Sequence, residues 1–128
     1  MPDLPAIWRK HRPRGYRVQW SDDLTLACAD KPNRLIICPK PTTPLRLAYA
    51  LHECWHIKLD PWRFPPPSDL VMEYETELHT LASLQAAGVP ISPAILRHCK
   101  ANVRKYLPGG RLWKAGTVVP REIEKWAA

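Results

Sequence analysis

The chain has 128 residues, 45% of them hydrophobic, and a formal net charge of +7. That length suits one domain with one modest core, and that apolar content excludes wholesale disorder. No apolar run approaches the ~20 residues needed to span a bilayer, and Met1-Pro2-Asp3-Leu4-Pro5 lacks the apolar centre of a signal peptide, so a cytoplasmic location is expected.

Residues 1–15 are rich in proline and basic side chains and read as an irregular basic arm, anchored by Trp8. Arg17-Val18-Gln19-Trp20 alternates and suits a short strand. Leu24 to Ala29 is apolar and rich in β-formers. Asp30-Lys31-Pro32-Asn33 reads as a turn, and Arg34 to Cys38 as a strand ended by Pro39. Together these segments predict a hairpin. The four cysteines, Cys28, Cys38, Cys54 and Cys99, contain no C-x-x-C pair and are expected to be free thiols in a reducing compartment.

Thr43 as N-cap and Pro44 at the first helical position start a helix that runs through Leu47, Ala48, Leu51 and Cys54 to about Leu59. Its stripes are poor in charge, so burial over much of its girth is expected. The proline-rich stretch Asp60 to Pro67 links it to a second helix, capped by Ser68 or Asp69 and ended near Ala87 by Gly88. Its aromatic residues could wall a cleft. Ser92-Pro93 starts a third helix, stopped by Pro108-Gly109-Gly110. A short last helix runs from near Pro120 to Trp126. The expected fold is α+β: a small β-hairpin or three-stranded sheet packed on a bundle of three to four helices, in one domain over 1–128.

The first long helix carries His52-Glu53-Cys54-Trp55-His56, an H-E-x-x-H pattern. Residues four apart share a helix face, so both imidazoles can reach one point. Zinc takes imidazole nitrogen at ~2.0–2.1 Å and keeps room for a third protein ligand and a water. Glu53 stands beside that water and can take its proton. One Zn2+ ion is therefore the expected cofactor.

The second helix supplies the third ligand. Its apolar face is Val71, Tyr74, Leu78, Leu81 and Ala82. On that phase Glu75 falls inside while Glu73 and Glu77 point away, and an inward carboxylate needs a cation. Glu75 is thus the expected ligand. His79, one turn on, can hydrogen-bond a ligand or replace Glu75. Asp60 can orient an imidazole, but as a ligand it fits badly, since His52 to Asp60 spans ~12 Å of straight helix. Tyr74, Tyr106 and Arg63 are candidates for oxyanion or substrate contacts.

Leu51-His52-Glu53-Cys54-Trp55-His56, then Glu73-Tyr74-Glu75-Thr76-Glu77, then Gly88-Val89-Pro90 and a basic helix resemble the small metallopeptidase-like proteins of phages and prophages. These are similar to gluzincins and, more distantly, to IrrE-type peptidases. The resemblance covers roughly residues 34 to 126 and implies a minimal zincin-like core. It also implies zinc bound by His52, His56 and Glu75, with Glu53 as base. Thr76 stands where the pattern usually has alanine after the ligand glutamate. Trp55 replaces a small residue inside the motif and is expected to crowd the site.

The expected function is zinc-dependent hydrolysis of a peptide bond in a protein or peptide substrate, by a monomer with no membrane association, in the bacterial host cytoplasm if the chain is phage-encoded. The alternative is a non-catalytic, zinc-stabilised phage protein that binds DNA or an acidic partner through basic patches at Arg9–Arg17 and Arg97–Lys114.

Overall fold

The computed structural model describes residues 2–59, 63 and 65–128. The readings placed on Asp60 and on the aromatic residues Trp62 and Phe64 fall outside the described residues. Among those described are five α-helices and one three-stranded sheet, an α+β architecture as expected.

The segment expected to be an irregular arm contains a helix, α1 (Leu4–His11). Its proline is compatible with that: Pro5 lies in the first turn, where no amide N–H is required. Asp3 caps the turn, its Oδ1 accepting from the Ala6 amide at 3.1 Å. Leu4 and Trp8 are one turn apart and both are buried, Trp8 to 3% exposure, so the helix has an apolar stripe to dock with. Trp8 is the anchor expected, and it meets Trp20 edge-on with ring centroids 5.6 Å apart.

The strands β1 (Arg17–Trp20), β2 (Cys28–Asp30) and β3 (Leu35–Cys38) lie in the order β1-β3-β2. β1 runs parallel to β3, with Arg17 opposite Leu35 and Trp20 opposite Cys38. β2 runs antiparallel to β3, with Cys28 opposite Ile37 and Asp30 opposite Leu35, which is the hairpin expected. The Asp30 carboxylate closes its turn by accepting from the amide and side-chain N–H of Asn33 at 3.3 and 2.8 Å. The apolar run before it is divided. Leu24–Leu26 forms a 3₁₀ turn because Asp23 Oδ1 accepts from the Thr25 amide at 3.0 Å, and pairing begins at Cys28. β2 has one neighbour, so its outer edge is open.

α2 (Pro44–Lys58) is the central element and packs against α1, the sheet, and the next two helices. Thr43 caps it, its Oγ1 accepting from the Arg46 amide at 3.2 Å. Leu47, Leu51 and Cys54 form one core with Ile36 and Cys38 of β3, all at 0% exposure. α3 (Asp69–Ala86) starts at the Ser68 cap. It ends where Gly88, at φ +75°, lets the Val89 amide bond back to the Leu84 carbonyl at 2.9 Å. α4 (Pro93–Arg104) starts at Ser92, and α5 (Arg121–Ala127) closes a smaller core of Leu70, Val103, Ile123 and Ala127. The four cysteines are free, and among the described residues no helix is long and apolar enough to cross a membrane.

Trp8→Ala is expected to lower the unfolding free energy by about 3–5 kcal/mol, because it empties a large buried site. Urea denaturation checks this; a loss below about 1 kcal/mol would show that α1 is peripheral to the core.

Candidate metal centre and cleft

Four residues apart on α2, His52 and His56 present their Nε2 atoms 2.8 Å from each other. Glu73 of α3 brings Oε1 to 3.1 Å from His52 Nε2 and Oε2 to 3.3 Å from His56 Nε2. Among the described residues, these three side chains form the group whose donor atoms lie close enough to share one ion. Ligands at ~2.0–2.1 Å in a tetrahedron stand ~3.3 Å apart, so this donor set matches zinc to within ~0.5 Å.

The structure turns Glu75 outward and thereby corrects the choice of third ligand. Glu75 pairs with Arg63 through both oxygens, at 3.0 and 2.6 Å. Glu73 and Glu77, expected to point away, are 6% and 0% exposed, whereas Leu78 is 37% exposed. The cause is a polar inward stripe: Glu73, Thr76, Glu77, Thr80 and Ser83 are all buried. The three hydroxyls donate to carbonyls one turn back, Thr76 to Met72 at 2.7 Å, Thr80 to Thr76 at 2.9 Å and Ser83 to His79 at 2.8 Å. With their hydroxyls satisfied internally, they act as small side chains that let α3 close on α2. A search for the apolar face cannot find such a seam.

Behind the cluster, His52 Nδ1 stands against Oε1 of Glu77. The same oxygen accepts from Asn102 Nδ2 at 3.2 Å. A carboxylate at each nitrogen favours the doubly protonated imidazole, with Nδ1–H facing Glu77 and Nε2–H facing Glu73. Burial opposes the His52 cation, but Glu77 and Glu73 outweigh it and hold the imidazole well above its ordinary value. Burial likewise raises Glu73, yet hydrogen bonds from His52 and His56, with their charge, bring it down to about 2. Glu53 is 6% exposed, and its Oε1 lies 3.8 Å from His52 Nε2. Burial pushes its carboxyl up, against the pull of His52 and His56. Three buried carboxylates thus surround His52: Glu53 and Glu73 from the cleft and Glu77 from behind. A divalent cation fits that excess of acceptors.

The cluster lies in a cleft of about 390 Å³. Ala27, Cys28 and Ala29, at the open edge of β2, line one side, and His98, Asn102 and Lys105 of α4 line the other. Leu24, Thr25, Lys31, Tyr49, Tyr106, Arg111 and Leu112 also line it. A larger hollow of about 810 Å³, between α1 and residues 40–44, shares no lining residue with this cleft.

Several expected site residues lie elsewhere. His79 is exposed and stacks on Trp55 with ring centroids 4.5 Å apart, so it neither ligates nor supports the cluster. Tyr74 packs edge-on against Trp126 at 5.4 Å in the smaller core. Arg63 is held by Glu75. Trp55 does not crowd the cleft: its indole N–H donates to Ser83 at 2.9 Å, on the far side of α2. Tyr106 does line the cleft. Of the second basic patch, Lys100 and Arg104 donate to the carbonyls of Ala128 and Ala127, and Lys114 pairs with Asp69. In the first, Arg12 donates to the Tyr16 carbonyl.

The sequence reading missed Glu73, Glu77, Asn102, His98 and Tyr49. A legible signal existed for the first two: two acids four apart, in phase with Thr76, Thr80 and Ser83. His98 and Asn102 also stand four apart, beside the apolar stripe Ile95, Cys99 and Val103. No family model, curated protein or solved structure matches the chain.

Glu73→Ala is expected to weaken zinc binding by well over tenfold and Glu75→Ala to leave it nearly unchanged; a competition titration reads both, and equal effects would remove Glu73 from the donor set. Because Glu77 and Glu73 favour the protonated form of His52, zinc must compete with a proton at its Nε2. Zinc affinity should therefore rise with pH, by up to about tenfold per unit, until that proton is gone. Titrations between about pH 6 and pH 8 check this, and a flat profile would count against proton displacement at His52.

Proposed function

We propose that the chain is a zinc-dependent metallopeptidase. His52, His56 and Glu73 hold the metal, and Glu53 is the general base. The observation that carries this reading is the position of Glu53 on the cleft wall, beside the donor cluster but outside it. Three protein donors in an open cleft support catalysis over a closed, purely structural site, which takes four.

Zinc, when bound, supplies an electrophile for the substrate carbonyl and acidifies water. Glu53 accepts the proton of the attacking water and returns it to the leaving amine. Its raised carboxyl suits it to hold a proton between those two transfers. Tyr49 and His98 stack at 3.9 Å on the cleft wall. Burial pushes the tyrosine up and the histidine down, so both are neutral and able to donate to a developing oxyanion. They take the role that the sequence reading offered to Tyr74 and Arg63. The open edge of β2 suits an extended substrate, which can pair there as an added strand.

Glu53→Gln is expected to keep zinc and to lose hydrolysis by about 10²–10⁴-fold. Metal analysis and a peptide-cleavage panel read the two effects separately. Full activity in the variant would remove Glu53 as base. Zinc binding without turnover by the unaltered chain would favour the non-catalytic reading.

A further inference from the structure

Among the described residues, two cations that line the cleft have no acidic partner. Lys105, at the end of α4, and Arg111, in the turn that follows, both line it. Their neighbours in sequence are committed elsewhere: Lys100 and Arg104 to carbonyls at the end of α5, Lys114 to Asp69. Lys105 donates to the neutral Oδ1 of Asn102 at 3.0 Å, which leaves its charge uncompensated. Among the described residues, Arg111 makes no ion pair. The two carboxylates lining the cleft, Glu53 and Glu73, are engaged with the histidines.

The turn that brings the two cations together is built closely. The Leu112 amide donates to the Lys105 carbonyl at 2.9 Å, and the Gly110 amide to Leu107 at 2.8 Å. A Cβ at Gly110 would lie 2.3 Å from the Lys105 carbonyl oxygen and 2.4 Å from that of Arg104. The chain can therefore fold back on the helix end only with glycine there. This backbone brings the chain at residue 111 back to the end of α4, and both cations line the same cleft.

We propose that Lys105 and Arg111 form a carboxylate-recognition subsite, so that the preferred substrate is a peptide carrying a carboxylate close to the cleaved bond. The carboxylate comes from an acidic side chain or from the peptide's own C-terminus. The inference rests on the peptidase reading above and specifies its substrate class. Arg111 offers a planar fork that can bind both carboxylate oxygens, and Lys105 adds a point charge. Lys105 also adjoins the metal cluster through side chains: Asn102, which accepts from it, donates to Glu77 at 3.2 Å, and Glu77 stands against His52.

The test uses the full chain saturated with zinc and quenched-fluorescence peptides that differ in one position, glutamate or glutamine, beside the central bond. Each is made with a free and with an amidated C-terminus, which separates the two carboxylate sources. The carboxylate peptides should be cleaved with kcat/KM about 10- to 100-fold above their neutral counterparts. Arg111→Gln should erase most of that preference, and Lys105→Met should reduce it, read in each variant as the ratio of carboxylate to neutral peptide cleavage. Arg111→Glu should invert it toward lysine-bearing peptides. Hydrolysis without a carboxylate preference, or a preference untouched by the variants, overturns the subsite and leaves the peptidase reading standing. If no peptide is cleaved, fluorescence-anisotropy binding of the same peptides decides. Affinity that needs the carboxylate and falls in Arg111→Gln supports the subsite although the enzyme reading has failed. Tighter binding of duplex DNA that is lost in Arg111→Gln assigns the cations to phosphate and overturns the proposal.

Discussion

The structure turns on one buried imidazole with a carboxylate at each nitrogen. His52 has Glu77 at Nδ1 and Glu73 at Nε2. A buried carboxylate is costly without a cation or hydrogen-bond donors, so Glu73 and Glu77 can lie inside the fold only where α2 supplies them. That requirement fixes the rotation of α3 about its axis. With Glu73 and Glu77 facing α2, Thr76, Thr80 and Ser83 must face it too, and Leu78 must turn toward solvent. The seam between the two helices is then polar along much of its length. It is held by hydrogen bonds and ion pairs, with the apolar contribution coming from Leu81 and Leu84, which join the core built on α2.

The same seam explains the two middle residues of the motif. Cys54 is fully buried against the sheet-facing core, and its thiol is pushed up to beyond the ordinary range by that burial, so it acts as a small apolar filler. Trp55 points to the other side. Its N–H bond to Ser83 and its stack on His79 pin α2 to α3 away from the cleft, and Lys58 of the same helix sets its ammonium 4.7 Å from the ring. A large residue at this position therefore supports the spacing between the helices that the metal ligands need.

The elements with local signals were legible in the sequence. Thr43-Pro44, Ser68 and Ser92-Pro93 cap helices where the capping pattern places them, and Gly88 ends α3 through its positive φ. The hairpin of β2 and β3 followed from its turn. The parallel pairing of β1 to β3 is long-range and left no such mark. α1 was hidden because prolines and arginines suggest an irregular arm, although Pro5 occupies the one turn of a helix that tolerates it. The ligand histidines were legible from spacing alone. The third ligand was not, because the phase of α3 was sought in its apolar residues while its buried face is made of glutamate, threonine and serine. Electrostatic satisfaction overrode hydrophobic periodicity, and it did so at the candidate site, where such exceptions concentrate.

The cleft is polarised along its length by the same arrangement. Carboxylates from α2 and α3 surround the metal position, and the cations of α4 and its following turn stand at the other end. Without a dication the acidic end opposes any incoming carboxylate that the basic end attracts. A bound dication would add positive charge at the acidic end, where it would favour an anionic ligand. On the proposed reading, metal occupancy and substrate recognition are expressions of one charge distribution. The hydrogen-bonded series Lys105, Asn102, Glu77, with His52 beside it, is the material connection between them.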